Sequence, residues 1–256
     1  MGRLVLFLVL VLKGGIVLAE SKAFSPYRLI DEGLTYDFEE IPIYDTSNSL
    51  MYKAGRISVS RADGEVISLA KYDQSPGCES DFPVIRTLEV PLASRTASPK
   101  QKKQKFVAFC GSYDGRHKTL RFYNPAFGFV SAVDFFDGPV ALLELDSKLL
   151  LTINYSDYFS SIESKVSYPL VYELLSNGLG IELLLDRSGS SKVIYSSDLD
   201  GKRKSEPQMI RELIASALSE GKEEYCSRLL GNTEEKAKLI QLELETKLNN
   251  ISIPKC

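Results

Sequence analysis

The sequence contains a single histidine, His117, and this scarcity excludes several kinds of site. Zinc sites of the HExxH or His-rich type need at least two histidines. The chain also lacks a Cys-x-x-Cys pair, a P-loop, a G-x-S-x-G elbow and a G-x-G-x-x-G loop. Thiol–disulfide exchange, nucleotide binding and serine hydrolysis therefore have no supporting motif.

His117 itself does not predict catalysis. It stands between Arg116 and Lys118, beside the Asp114-Gly115 turn. Neighbouring cations lower the basicity of an imidazole, and a general base would also need an orienting carboxylate and a nucleophile within reach. We expect an exposed turn residue and no catalytic residue, although a hydrolase with two dispersed carboxylates would leave no local signature.

The chain also lacks a strong excess of charge and a metal motif. Thirty-one basic and 34 acidic residues give a net charge of −3, which provides no field for steering nucleic acid. Asp198 to Gly201 resembles the opening of a calcium loop but has no later ligands at the required spacing. We therefore expect no nucleic-acid partner, no metal and no cofactor.

The N-terminus has the form of a secretory signal peptide. Met1-Gly2-Arg3 precedes nine apolar residues, Leu4 to Leu12, and the small or branched residues Val17 and Ala19 favour cleavage after Ala19. The alternative is a retained anchor or a core helix. No later apolar run reaches the length of a membrane span, so we expect the mature chain, residues 20 to 256, to have none.

Four cysteines, Cys78, Cys110, Cys226 and Cys256, are an even number in a chain bound for an oxidising compartment, which indicates one or two disulfides. Proximity in the sequence favours Cys78 with Cys110 and Cys226 with Cys256, although three connectivities stay open. Two N-glycosylation sequons begin at Asn154 and Asn250. Both depend on the secretory route, and chance occurrence is an equal alternative.

Short alternating segments predict a mainly β protein. Ile57 and Val59 share one face of a strand, Ile67 and Leu69 share one face of the next, and Asp63-Gly64 suits the hairpin turn between them. Further strands are predicted up to Lys192–Tyr195. Many short strands with frequent turns favour antiparallel pairing, so we predict a β-sandwich-like domain over residues 20–200.

A helical region is predicted from residue 201 to 256. Ser205-Glu206-Pro207-Gln208 has the form of a capping box, and apolar residues then recur at helical spacing from Met209 to Leu218. Gly221 and Gly231 indicate helix ends, and a further helix follows. The apolar stripes favour packing on the parent domain over a partner site.

Several segments together resemble a known family. These are Leu34 to Glu39, Gly55 to Leu69, Ile85 to Pro91 and Lys105 to Tyr113, followed by Leu120 to Tyr123 and Gly128 to Val133. Over about residues 34–137 the chain resembles the lumenal domain of subunit 10 of the ER membrane protein complex.

The resemblance implies a signal peptide, a β-sandwich in the ER lumen and a non-catalytic role beside other subunits of a complex that inserts membrane proteins. It implies no catalytic residues. The alternative prediction is a secreted or cell-surface β-domain that binds a protein or a glycan.

Overall fold

The computed structural model describes residues 27–78, 82–93, 103–113, 117–136, 140–145, 148–196, 205–219, 221–248 and 251–256. The predicted signal peptide, Asn250 and the segment Asp198 to Gly201 lie outside these ranges. The described strands are β1 (Tyr27–Asp31), β2 (Leu34–Tyr44), β3 (Leu50–Arg61), β4 (Val66–Tyr72), β5 (Ser75–Pro76), β6 (Ile85–Pro91), β7 (Lys103–Tyr113), β8 (His117–Asn124), β9 (Gly128–Phe136), β10 (Val140–Leu145), β11 (Lys148–Phe159), β12 (Ser164–Ser176) and β13 (Ile181–Leu185).

The strands form three antiparallel sheets. The first has the order β1-β2-β3-β4 and the third the order β10-β11-β12-β13. In the second sheet β7, β8 and β9 pair in order, and both β5 and β6 pair with β7. The predicted mainly β, antiparallel fold class is therefore confirmed.

The second sheet lies between the other two. Phe106 and Ala108 of β7 pack in the core that includes Leu151 and Ile153 of the third sheet. Phe109, on the opposite face of β7, packs in the core of the first sheet. Because both faces are covered, β7 is buried continuously from Phe106 to Gly111.

A third core lies between the long β11–β12 hairpin and the helices. The two strands pair from Leu150/Glu173 to Phe159/Ser164, well beyond the residues that β10 and β13 cover. Phe159, Val166 and Tyr168 lie in this extension and pack against the helices.

In the described part of the chain, four α-helices follow the sheets: α1 (Arg187–Ser196), α2 (Glu206–Ser219), α3 (Lys222–Leu230) and α4 (Glu234–Lys247). Helix α2 begins directly after Ser205, whose carbonyl oxygen accepts a hydrogen bond from the Met209 amide. Its apolar residues Ile210, Leu213 and Ile214 are buried, as their spacing predicted. The helical appendage is confirmed, and no described helix has the length and apolar character needed to span a membrane.

The prediction of a strand at Lys192–Tyr195 is wrong, because these residues belong to α1. Asp186 supplies the missing signal: its Oδ1 accepts the Gly189 amide at 2.8 Å, which is the contact of a helix N-cap. Ser190 and Ile194 then lie on one helical face and are fully buried. Tertiary packing thus overrides the β preference of Val193 and Ile194.

The cysteines lie in the pairs that sequence proximity favoured. Cys78 pairs with Cys110, and Cys226 with Cys256, with 5.5 Å between the Cα atoms in each pair. The first pair joins the β5–β6 connection to β7, and the second joins α3 to the C-terminal residue. Two such pairs are typical of proteins that fold in an oxidising compartment.

Candidate functional site

Strand β4 forms an edge of the first sheet, and its apolar side chains face solvent. Among the described residues it pairs only with β3. Val66, Ile67 and Leu69 are 56%, 37% and 58% exposed. We call these three residues the β4 edge surface. Edge strands of natural proteins are usually protected against pairing, so an exposed apolar edge indicates a contact surface.

A β-bulge places Ile67 and Leu69 on the outer face. Ser60 pairs with Val66, but Val59 pairs with Ser68, so Ile67 is the additional residue in β4. Continuous register would have placed Val59 opposite Ile67, on the core face. A shift of one residue reverses the two faces of a strand. Alternation in the sequence therefore identified residues that share a face, but not which side that face occupies.

A cleft with a mixed polar and aromatic lining lies where the first and second sheets meet. It has a volume of about 370 Å³ and is lined by Tyr52 from β3, Asp73 and Gln74 from the β4–β5 connection, and Tyr113 and His117 from β7 and β8. Tyr52 and Tyr113 are 40% and 46% exposed. We call this site the Asp73 cleft.

Gln74 is held in place from the second sheet. Its Oε1 accepts a hydrogen bond from Arg121 at 2.7 Å, and the Arg121 guanidinium lies 3.7 Å from the centre of the Tyr72 ring. Burial lowers the pKa of Arg121 from its ordinary value. The fixed carbonyl end of the amide leaves Nε2 as the donor that Gln74 can offer to a ligand.

Two glycines allow the segment around Gln74 to pack closely on the sheets. A Cβ at Gly55 of β3 would overlap the Gln74 carbonyl oxygen, and a Cβ at Gly111 of β7 would lie 3.0 Å from the Gln74 Cβ. Ser75 continues the contact, since it pairs with Ser112. The segment that forms this wall of the cleft is therefore closely packed on both sheets.

His117 is half-buried at the start of β8, where it pairs with Tyr113 and Phe136. The prediction of an exposed turn residue is corrected in this respect, because His117 is a half-buried strand residue that is paired on both sides. None of the described lining residues of the cleft is a serine, threonine, cysteine or lysine. The described lining thus combines hydrogen-bonding groups and aromatic rings without a nucleophile of these types.

None of the other predicted site residues within the described ranges is among the residues that line the cleft. Asn154 is half-buried within β11, opposite Pro169. Within the described part of the chain, no three His, Cys, Asp or Glu side chains lie close enough together to hold a metal ion. Sequence analysis named His117 but missed Tyr52, Asp73, Gln74 and Tyr113, because they come from separate segments with no motif.

A second, apolar groove of about 560 Å³ lies between α3 and α4. Leu229, Leu230, Ala237 and Leu242 line it, together with Cys256 of the C-terminal disulfide pair. Leu230 and Leu242 are largely exposed. The apolar residues of α4 are therefore only partly buried by packing against the β11–β12 hairpin.

No family model, curated protein or solved structure matches this chain.

Proposed function

We propose that this chain is a non-catalytic accessory subunit that binds a partner protein in the lumen of the ER. The β4 edge surface is the observation that carries the proposal. In its finer form, the partner is another subunit of the ER membrane protein complex, and the chain supports the insertion of membrane proteins.

The geometry of β4 fits the addition of a strand from a partner. A free edge offers backbone N–H and C=O groups, and the side chains that alternate along it supply specificity. Leu69 lies on the exposed face between Ile67 and Lys71. Burying a side chain of this type stabilises a complex by about 1.5 to 3 kcal/mol when burial is complete, and by less here because Leu69 starts partly buried.

Two independent features support the proposed compartment. The predicted signal peptide and the two cysteine pairs both fit the secretory route. The resemblance over residues 34–137 includes β3, β4 and the hairpin between them, so it covers the proposed docking strand. The competing proposal is a secreted or cell-surface domain that uses the same edge outside the cell.

Affinity purification of the tagged full-length protein from mild-detergent extracts tests the proposal, with the culture medium assayed in parallel. Leu69→Asp should reduce recovery of partner proteins severalfold, because a carboxylate would have to be desolvated at the contact. Leu184→Asp is the matched control, since Leu184 is also 58% exposed on an edge strand, β13, of the third sheet.

Stoichiometric recovery of ER membrane-complex subunits with wild type and with Leu184→Asp, but not with Leu69→Asp, would support the accessory role. Recovery of the chain mainly from the medium without those subunits would contradict it. Equal recovery with both variants would exclude the β4 edge surface as the docking site.

A further inference from the structure

We propose that the Asp73 cleft binds a neutral saccharide. This inference goes beyond the accessory role, because the cleft is lined by residues other than those of the β4 edge surface. It rests on three features of the site: the chemistry of its lining, the fixed position of the Gln74 amide and the exposure of Tyr52 and Tyr113 to solvent.

The lining matches the two kinds of surface that a pyranose ring presents. The hydroxyl groups of a sugar both donate and accept hydrogen bonds, and they would meet the Asp73 carboxylate as an acceptor and the Gln74 Nε2 as a donor. The C–H face of the ring is apolar and packs on aromatic rings, which Tyr52 and Tyr113 supply from two different sheets.

Asp73 is the residue that indicates a ligand most directly. Among the residues that the structure describes, no side chain forms an ion pair or a hydrogen bond with its carboxylate. The adjacent Gln74 is fixed by Arg121, and its backbone packs on Gly55. The Asp73 carboxylate is therefore available to accept a hydrogen bond from a ligand hydroxyl, beside a residue whose position is already fixed.

The charge of the cleft selects among saccharides. Arg121 contacts Gln74 and Tyr72, and it is not among the described lining residues. An acidic sugar would bring a second carboxylate close to Asp73, which is unfavourable. A neutral sugar avoids this repulsion, so we expect neutral saccharides to bind more tightly than uronic or sialic acids.

Saturation-transfer NMR on the full-length protein tests the assignment. The probes are maltose, cellobiose, lactose, N,N′-diacetylchitobiose and an α-1,2-linked mannobiose at millimolar concentration, with tetramethylammonium as a cationic probe. We expect at least one disaccharide to receive saturation, strongest at the protons of one ring face.

Variants connect the signal to the cleft. Asp73→Asn should weaken binding about tenfold, which is about 1.4 kcal/mol, since the amide still accepts a hydrogen bond but loses the contribution of the charge. Tyr113→Ala should abolish the transfer. Tyr158→Ala is the matched control, because Tyr158 is also an exposed tyrosine, at 57%, but lies on β11. Leu69→Asp should bind sugar like wild type, so the two proposals fail separately.

The absence of transfer to every disaccharide would overturn the assignment. Transfer that persists unchanged in both Asp73→Asn and Tyr113→Ala would also overturn it. Binding of tetramethylammonium in place of the sugars would show a cation site instead. Asp73 is exposed, so Asp73→Asn should fold even if Tyr113→Ala does not.

Discussion

Gly55 occupies a position in β3 where no side chain can be accommodated. A Cβ there would overlap the Gln74 carbonyl oxygen and the ring of Phe38. The first neighbour is backbone, and the second is a core ring that is 2% exposed. Neither can move aside easily in a close-packed interior. Glycine is therefore required at this position by packing rather than by its backbone conformation.

We predict that Gly55→Ala lowers the free energy of unfolding by about 2 to 3 kcal/mol, at the upper end of overpacking costs. Urea-induced unfolding would measure the change. Gly180→Ala is the control, because the nearest heavy atom to a Cβ at Gly180, the Val130 carbonyl oxygen, lies at 3.6 Å. A Gly55→Ala variant as stable as Gly180→Ala would show that the segment around Gln74 moves freely.

Tyr36 on β2 makes the fold sensitive to alkaline pH. Burial, followed by the electrostatic effect of Tyr123, raises the pKa of Tyr36 to about 12. The folded chain therefore keeps the phenol neutral at pH values where the unfolded chain ionises it, above about pH 10. The contribution of Tyr36 to the free energy of unfolding is therefore complete below about pH 10 and is lost as the pH rises towards 12.

We predict that Tyr36→Phe flattens this dependence between pH 10 and 12. Each tyrosine ionised only in the unfolded state removes about 1.4 kcal/mol per pH unit. Tyr168, Tyr172 and Tyr225, whose pKa values burial also raises, keep a residual slope. Denaturant midpoints measured across this range would test the prediction. Identical slopes for Tyr36→Phe and wild type would show that the Tyr36 phenol ionises in the folded state.

At the scale of elements, Arg187 connects three parts of the helical region. Its guanidinium donates to the Ala217 and Leu218 carbonyl oxygens of α2 at 2.7 and 3.1 Å, and to the Ser252 carbonyl oxygen at 3.3 Å. The last carbonyls of a helix lack partners within the helix and carry partial negative charge. Arg187 therefore caps α2 and fixes the C-terminal segment to it.

We predict that Arg187→Ala lowers the free energy of unfolding by about 2 kcal/mol, as expected for hydrogen bonds from a charged donor. Arg187→Lys should recover only part of this loss, because an ammonium lacks the planar fork that reaches two carbonyls. Lys192→Ala, an exposed position on the same helix, serves as the control. Thermal unfolding of the three variants would rank them, and equal losses for Arg187→Ala and Lys192→Ala would contradict the capping role.

Elements whose pattern is local could be predicted from the sequence, and those set by distant contacts could not. The β3–β4 hairpin and α2 follow from Asp63-Gly64 and from the capping residues before Met209. The bulge that exposes Leu69 depends on the pairing of β4 with β3, and α1 depends on burial of Ile194. The Asp73 cleft joins residues from three segments, so no local spacing indicates it.

At the scale of the whole molecule, the three cores are physically joined. Adjacent residues of β7 belong to different cores, since Ala108 packs towards the third sheet and Phe109 towards the first. Tyr155 and Tyr172 contact both the core between the second and third sheets and the helical core. Their hydroxyl oxygens are 3.2 Å apart. Loss of one core removes contacts from the next, so we expect one cooperative unit.

Ile240→Ala tests this coupling from the far end of the molecule. Ile240 is fully buried in the helical core, so its truncation should cost about 3 kcal/mol. Native-state hydrogen exchange would follow the backbone amides of β7, because the side chains of this strand form part of both cores between the sheets. In a cooperative unit their free energy of exchange falls by the same amount, whereas Leu239→Ala, at an exposed neighbouring position, changes it little. Unchanged protection of β7 in Ile240→Ala would mean that the helices unfold separately from the sheets.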